Sequence, residues 1–214
     1  MNILIIGAGN MGRGIATRLA SARTKLIIHD VDPTKAEALA KELGGAGISV
    51  AKTPAEAVQT SDVVILASWY AANLETARTL GAALNGKIVI DISNALNETY
   101  DALVTPPGTS AAETIAAALP AGAKLVKAFN TTFAGTLLTG KVAGQTLDVF
   151  IAGDDDAAKA RVVELVRAGG LNPIDVGPLV RSRELEALGF LGIQLQSRLN
   201  TGFQTAWKLV LPTA

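Results

Sequence analysis

The sequence has no cysteine and a single histidine, His29. Without cysteine there are no disulfides, thiol nucleophiles or zinc–thiolate centres. That composition fits a reducing compartment, and the protein is expected to be cytoplasmic. Aromatic residues make up only 4% of the chain, so the core must be packed from Ala, Gly, Val, Ile and Leu, which suits helices lying close on a sheet. The 19 basic and 19 acidic residues cancel and form no basic stripe, so nucleic acid is not an expected partner. Mean hydropathy is high at +0.35, yet no apolar run is long enough to span a bilayer. No membrane association is expected, and no paired acidic clusters suggest a metal site.

What the chain does have is alternation. The segments "NILIIG", "KLIIHD", "ISVA", "DVVILA", "KIVIDI" and "KLVKAF" are short apolar runs, as expected of strands covered on both faces. Helical patterns separate them. Asp32 before Pro33 and Thr53 before Pro54 are helix starts, and Ser110 with Glu113 is a capping box. After Gly140 come "TLDVFIAG", a helix near 156–168, and "PIDVG", followed by an apolar helical tail near 181–200. The alternation predicts an α/β fold: a doubly wound Rossmann-type parallel sheet with a short C-terminal βαβ unit and a tail helix. We expect a single NAD(P)-binding domain over 1–214, with 1–140 as core and 141–214 as an extension packed on it. The tail helix is expected to pack on the sheet or to form a homodimer.

Gly7-Ala8-Gly9-Asn10-Met11-Gly12 follows the first strand and opens a helix. In that context the three glycines permit a tight turn, a close approach to a pyrophosphate and close helix–strand packing, with the helix N-terminus facing the phosphates. The bland alternative is an ordinary β–α turn. Asp30 ends the second strand, about 20 residues beyond, where a carboxylate accepts hydrogen bonds from an adenosine ribose and repels a 2′-phosphate. This leans toward NAD over NADP; the alternative is a solvated strand end. His29 falls beside the adenosine, as a surface or adenine-side residue, too far from a nicotinamide to act on hydride chemistry.

"IIGAGNMGRGIA", "ASWYAA", "VIDISNAL", "SAAETIAAALP", "LVKAFNTTF", "VFIAGDD" and "RSRELEALGFL" occur in that order. With them the whole chain resembles the F420-dependent NADP oxidoreductase family, small Rossmann enzymes that exchange a hydride between a nicotinamide and a deazaflavin. The family's relatives include the cytoplasmic domain of flavin-using membrane metalloreductases. The resemblance implies that Ser68, Trp69 and Tyr70 lie along the cofactor. It also implies that Asn94 and Asn130 sit where nicotinamide and a second ring stack, with Asn130 and Thr131 orienting the carboxamide or the acceptor. The alternative for Asn130 is a turn cap. Where NADP-using members carry a Ser/Arg-type pair, this chain has Asp30 and Val31, which again favours NAD. The expected acceptor is a small-molecule ring: FMN, FAD or F420.

A ring acceptor needs no separate substrate domain and little acid–base equipment, whereas a carbonyl usually needs a positioned acid. There is no Tyr-x-x-x-Lys, and Tyr70, Tyr100 and Lys127 are the donors within reach. Two other readings stay open: a non-catalytic NAD(P)-binding sensor, and a reductase of a small imine or carbonyl with Tyr70 as acid. Lys127 is odd in an apolar strand. It is expected to cover apolar surface with its stem and reach water with its head, or else to meet an anionic acceptor tail. Arg181 and Arg183 are expected to be solvated or to meet such a tail, and "GDDD" (153–156) to start a helix.

Overall fold

The structure is a computed structural model that describes residues 1–22 and 24–212. At its centre lies strand β1 (Asn2–Ile6), in which Ile3, Leu4 and Ile5 are wholly buried. Helix α1 (Asn10–Ser21), β2 (Lys25–His29), α2 (Pro33–Leu43), β3 (Ile48–Val50) and α3 (Pro54–Thr60) build one flank. Strand β4 (Val63–Leu66), α4 (Tyr70–Leu80), β5 (Ile88–Asp91), α5 (Ala111–Ala118) and β6 (Lys124–Lys127) build the other. Beyond these lie α6 (Ala134–Thr139), β7 (Lys141–Val142), β8 (Gln145–Thr146), β9 (Asp148–Gly153), α7 (Asp156–Ala168), β10 (Asn172–Gly177) and α8 (Ser182–Leu199). The eight-stranded sheet runs β10-β9-β6-β5-β4-β1-β2-β3, so strand order reverses at β1 and β4, where a crevice opens at the strands' carboxyl ends.

The expected α/β Rossmann-type sheet is present, with one refinement. Strands β9 and β10 are parallel to each other, but β9 runs antiparallel to β6. The C-terminal βαβ unit therefore joins the sheet upside down. Between β6 and β9 the chain passes through α6 and a hairpin, β7–β8, turned at Ala143 (φ 49°) and Gly144 (φ 76°). Positive φ at both central residues is what a tight two-residue hairpin turn requires. Strands of two residues carry too little pattern to be seen in sequence.

Local chemistry sets the helix ends. Asp32 accepts from the Thr34 N–H, Thr53 from that of Glu56, and Asp155 from that of Ala158; Ser110 and Glu113 form the capping box. Among the described residues no helix is long and apolar enough to cross a membrane.

Two polar residues, His29 and Lys127, correct the sequence reading. His29 is buried, with Nδ1 3.1 Å from the Ala51 carbonyl oxygen, so it knits β2 to the end of β3 and does not face solvent. Arg183 is exposed, as expected, and also forks onto Glu113 at 2.9 and 2.6 Å, tying α8 to the start of α5. Lys127 reaches neither water nor a ligand. It is 0% exposed, and its Nζ donates to Asp91 Oδ2 at 2.7 Å, to Glu186 Oε1 at 2.9 Å and to the Ser93 carbonyl. Burial pushes this ammonium down, and the two carboxylates outweigh burial, leaving it charged beyond the ordinary lysine range.

Glu186 also accepts from the N–H groups of Ala111 (2.8 Å) and Ala112 (3.1 Å). Its second partner is thus the positive end of α5, which spreads the surplus negative charge of the triad. Removing one member of such a buried set strands the others without partners. Lys127→Met should lower unfolding free energy in urea by about 3–5 kcal/mol. A loss below about 1 kcal/mol, the range of exposed pairs, would show that the triad is not a buried charged unit.

Candidate functional site

The glycine loop closes the gap between β1 and α1. Gly7 has φ 115°, and a Cβ there would lie 2.7 Å from the Ala67 carbonyl oxygen; one on Gly12 would lie 1.8 Å from that of Gly7. Both positions therefore need glycine for the fold itself. Gly9 differs. Its backbone is extended (φ −70°, ψ −170°) and a Cβ would meet no protein atom within 4 Å. No side chain caps the N-terminus of α1. The space above Gly9 and the uncapped N–H groups of the first turn make the cradle that a pyrophosphate needs.

Asp30 stands beside this cradle and does more than expected. Its Oδ2 accepts from the Ala8 N–H at 2.7 Å and its Oδ1 from that of Asp32 at 2.9 Å. One carboxylate thus pins the glycine loop to the end of β2. A carboxylate has about four lone-pair sites, so two remain for hydroxyl donors. The neighbouring Val31 is 96% exposed.

From the cradle a cleft of about 1190 Å³ runs across the carboxyl ends of β4, β5 and β6. Asn10, Met11, Ser68, Trp69, Asn94 and Asn130 line it. Tyr70 does not: it packs against the core beneath α4 and faces a smaller adjoining cavity. That placement weighs against Tyr70 as an acid for a substrate in the main cleft. Thr131 is also absent from the lining, where Thr132 appears in its stead.

The opening of the β6 loop explains itself in this geometry. Phe129 is buried and sits at φ 64°, a left-handed turn that costs a bulky residue strain. Thr132 holds the turn through Oγ1 to the Phe129 carbonyl at 2.7 Å. Asn130 is thereby aimed toward Asn94. Asn130 Nδ2 donates to Asn94 Oδ1 (2.9 Å) and to the Leu185 carbonyl (2.8 Å), while Asn94 Nδ2 donates to the Asn130 carbonyl (2.9 Å). Because the Leu185 carbonyl only accepts, it fixes which side of the Asn130 amide faces inward. Asn130 Oδ1 is left buried with no partner, as is Thr131 Oγ1. An unpaired buried acceptor on a ligand cleft is a group waiting for a donor. Asn130 is therefore not a turn cap.

Four contributors escaped sequence reasoning. Asn73 of α4 clamps the β4 loop, accepting from the Ser68 N–H (3.1 Å) and donating to the Leu66 and Ser68 carbonyls (3.0 Å each). Leu185 acts through its backbone. Glu186 carries the lysine triad. Gly189 makes room: a Cβ there would lie 2.7 Å from Asn94 Oδ1 and 3.0 Å from the Asn130 carbonyl. The only signal was the string "RELEALG", whose Glu and Gly are misplaced for a purely apolar helix. The far wall comes from α8 and the tail, where Phe203 meets Phe133 edge-on with centroids 5.3 Å apart. Lys208 and the Leu209 N–H anchor the tail on buried Asp148; burial raises that carboxyl, and these partners with Asn172 hold it below the usual range.

The glycine loop at the switch point, the Asp30 carboxylate beside it and the cleft beyond are compatible with an NAD(P)-dependent oxidoreductase, the class to which the chain's relatives belong. A family model for NADP oxidoreductase, coenzyme F420-dependent, matches residues 2–95. The chain is 34% identical over 203 residues to the F420-dependent NADP reductase of Methanocaldococcus jannaschii, covering 88% of this chain and 89% of that one. It belongs to this family of F420-dependent NADP oxidoreductases. It is also 32% identical over 184 residues to rat metalloreductase STEAP3, of whose length it spans only 35%. A crystal structure of a candidate F420-dependent NADP reductase from Arthrobacter sp. FB24 superposes with a TM-score of 0.86 at 28% identity, covering 98% of this chain and 99% of that one.

Two substitutions separate the site from the fold. Gly9→Val should leave the thermal midpoint nearly unchanged yet abolish nucleotide binding in a fluorescence titration; retained affinity would move the phosphates elsewhere. Gly189→Ala pushes on the Asn94–Asn130 pair, and a displacement near 1 Å can cost about 100-fold in rate. Turnover should therefore fall by roughly tenfold or more, while nucleotide binding at the distant glycine loop is kept. Unchanged turnover would show that the pair does not position a reacting group.

Proposed function

We propose that this protein binds a dinucleotide with its pyrophosphate over Gly9, its adenosine ribose at Asp30 and its nicotinamide at the Asn94–Asn130 pair, and that it exchanges a hydride with a flavin or deazaflavin ring. The observation that carries the reading is the unpaired Oδ1 of Asn130, a residue that lines the same cleft as Asn10 at the uncapped helix end. A nicotinamide carboxamide is a donor of the right kind for that oxygen. Ser68 and Trp69, held by Asn73, would flank the nicotinamide ribose. The nucleotide supplies the hydride and the ring takes it up; the chain orients both and excludes water.

The lining favours a ring over a carbonyl. Among the described residues Arg13 is the one charged group on the cleft, and it pairs with Glu42 at 3.1 Å on the adenosine side. A carbonyl reduced to an alkoxide needs a proton donor at the reacting atom, whereas a reduced flavin-type ring delocalises its charge and takes a proton from solvent. Relatives bear names that include NADP and F420. In this chain Asp30 stands beside the glycine loop with Val31 exposed next to it, which supports NAD as the preferred nucleotide. The sheet shared by 1–140 and β9–β10 supports reading the chain as one unit. Exposed Leu191 and Leu199 on α8 support a homodimer, which light scattering can test.

Titration with NADH and NADPH, followed by FMN, FAD and F420 as oxidants, tests the proposal. Binding of a nucleotide and its oxidation by a ring is the expected result. Binding without oxidation by any ring would favour a sensor. Because Asp30 also holds the glycine loop, the nucleotide preference is best moved through its neighbour. Val31→Arg adds a cation at an exposed site and should raise NADPH affinity about tenfold, the worth of one charge-assisted contact. NADPH affinity that ignores this change would place the 2′-position away from residue 31.

A further inference from the structure

Where α8 ends, the chain folds back over the cleft. Asn200 closes the helix in the left-handed region (φ 51°), and the residues after it make a small flap. Gln196, buried on α8, staples the base of that flap. Its Oε1 accepts from Thr201 Oγ1 at 2.6 Å and its Nε2 donates to Thr205 Oγ1 at 2.8 Å. At the tip the Gln204 N–H donates to the Thr201 carbonyl at 3.1 Å, which closes a tight turn around Gly202 and Phe203. Gly202, Phe203 and Gln204 are exposed and line the cleft. We propose that this flap is a gate for the dinucleotide and that the Phe203 ring against Phe133 is its clasp. The proposal rests on the nucleotide placement given above and adds how the nucleotide enters and leaves.

The tip is strained. Gly202 has φ 58° and Phe203 φ 61°, and a turn with positive φ at both central residues favours Gly, Asn or Asp. A bulky aromatic residue holds that conformation only where its surroundings impose it, and such strain gathers at clamps and switches. Two features across the cleft impose it here. The Phe203 ring meets Phe133 edge-on, with centroids 5.3 Å apart and planes at 81°. Gly135, in the first turn of α6, has no side chain where the tip lands: a Cβ there would lie 2.8 Å from Gln204 Nε2. Among the described residues no hydrogen bond joins the tip to α6.

The roots, by contrast, are fixed. Gln196 Nε2 also donates to the Gly192 carbonyl at 2.8 Å. Beyond the flap, Lys208 donates to the Thr146 carbonyl at 3.0 Å and to Asp148, and the Leu209 N–H donates to Asp148 Oδ2 at 2.8 Å. A segment pinned at both ends and held at its tip by a ring that is 48% exposed can open locally while the sheet stays intact. Opening releases the strain at Phe203, which offsets part of the lost ring contact. The tip lines the same cleft as Asn10 and Met11 at the start of α1. A closed flap therefore walls the space beside the Gly9 cradle, and it lifts to let a dinucleotide pass.

A gate and a passive wall differ in kinetics. Losing a wall contact raises the dissociation rate and Kd together. Loosening a gate raises association and dissociation together, because both pass through the open form, and Kd changes far less than either rate.

Stopped-flow fluorescence of NADH or NADPH binding and displacement is the test. Phe203→Ala removes the clasp at an exposed position, so the thermal midpoint should stay nearly unchanged. Both rate constants should rise by about three- to tenfold, the worth of one aromatic pair, with Kd held within about twofold. Phe203→Gly also lacks the ring but suits positive φ, so its closed turn is less strained and it should exchange nucleotide more slowly than Phe203→Ala. In the free protein, hydrogen exchange at the amides of 201–205 should be faster in Phe203→Ala than in wild type, with the amides of β1 unaffected. An association rate that ignores Phe203→Ala, whether or not dissociation rises, overturns the gate and leaves the nucleotide site standing. A wild-type protein that binds neither nucleotide overturns both.

Discussion

The Lys127 ammonium, buried between Asp91 and Glu186, joins parts of the chain that the strand ladder alone does not hold in register. Asp91 ends β5, Lys127 ends β6, and Glu186 lies on α8, 59 residues beyond the lysine. Through Glu186 the same cluster reaches the start of α5. Through Asp91 it reaches Ser93, which donates from N at 3.1 Å and from Oγ at 2.6 Å, and Asn73 at 3.4 Å. The loops after β4 and β5 that line the cleft are therefore tied, within a few hydrogen bonds, to a single cation. Two carboxylates against one lysine leave negative charge in a dry interior, and the α5 N-terminus offsets it. An apolar replacement of the set could be as stable, but it would not fix α8 at one depth and one rotation.

That fixing matters because α8 is packed directly on the asparagine pair. Leu185 offers its carbonyl to Asn130, and Gly189 lets the helix approach Asn94 with no side chain between. The helix thus does for the asparagine pair what Gly7 and Gly12 do for the β1–α1 turn: it brings backbone close where a Cβ would intrude. Trp207 against Gly192 (a Cβ there would lie 3.0 Å from Nε1) and Lys208 on Asp148 then return the tail across the helix and complete the outer wall. The C-terminal extension, though it enters the sheet antiparallel, is part of the cleft.

Much of this was legible locally. Continuous apolar runs gave the parallel strands, and Asp32, Thr53, Ser110 and Asp155 marked helix starts because a cap is chemistry between near neighbours in the chain. The glycine loop was legible for the same reason, and Asn94 and Asn130 were reached through family resemblance. What failed was long-range. Nothing adjacent to Lys127 reveals partners 36 and 59 residues away, so a snorkelling lysine was the natural expectation. His29 looked exposed because its cover, the end of β3, comes from a separate segment. The direction of β9 was invisible, since an apolar strand reads the same either way. Asp30 follows β2 as its position in the sequence implied, but its grip on the Ala8 N–H depends on loop geometry that no spacing encodes.

One oxygen is central to the proposed site. Asn130 Oδ1 is buried, unpaired and held in place by α8. A crystal structure with bound reduced nucleotide tests this most directly. The nicotinamide carboxamide nitrogen should lie within hydrogen-bonding distance of Asn130 Oδ1, with the pyrophosphate over Gly9. A nicotinamide lying elsewhere, with that oxygen still unpaired, would contradict it.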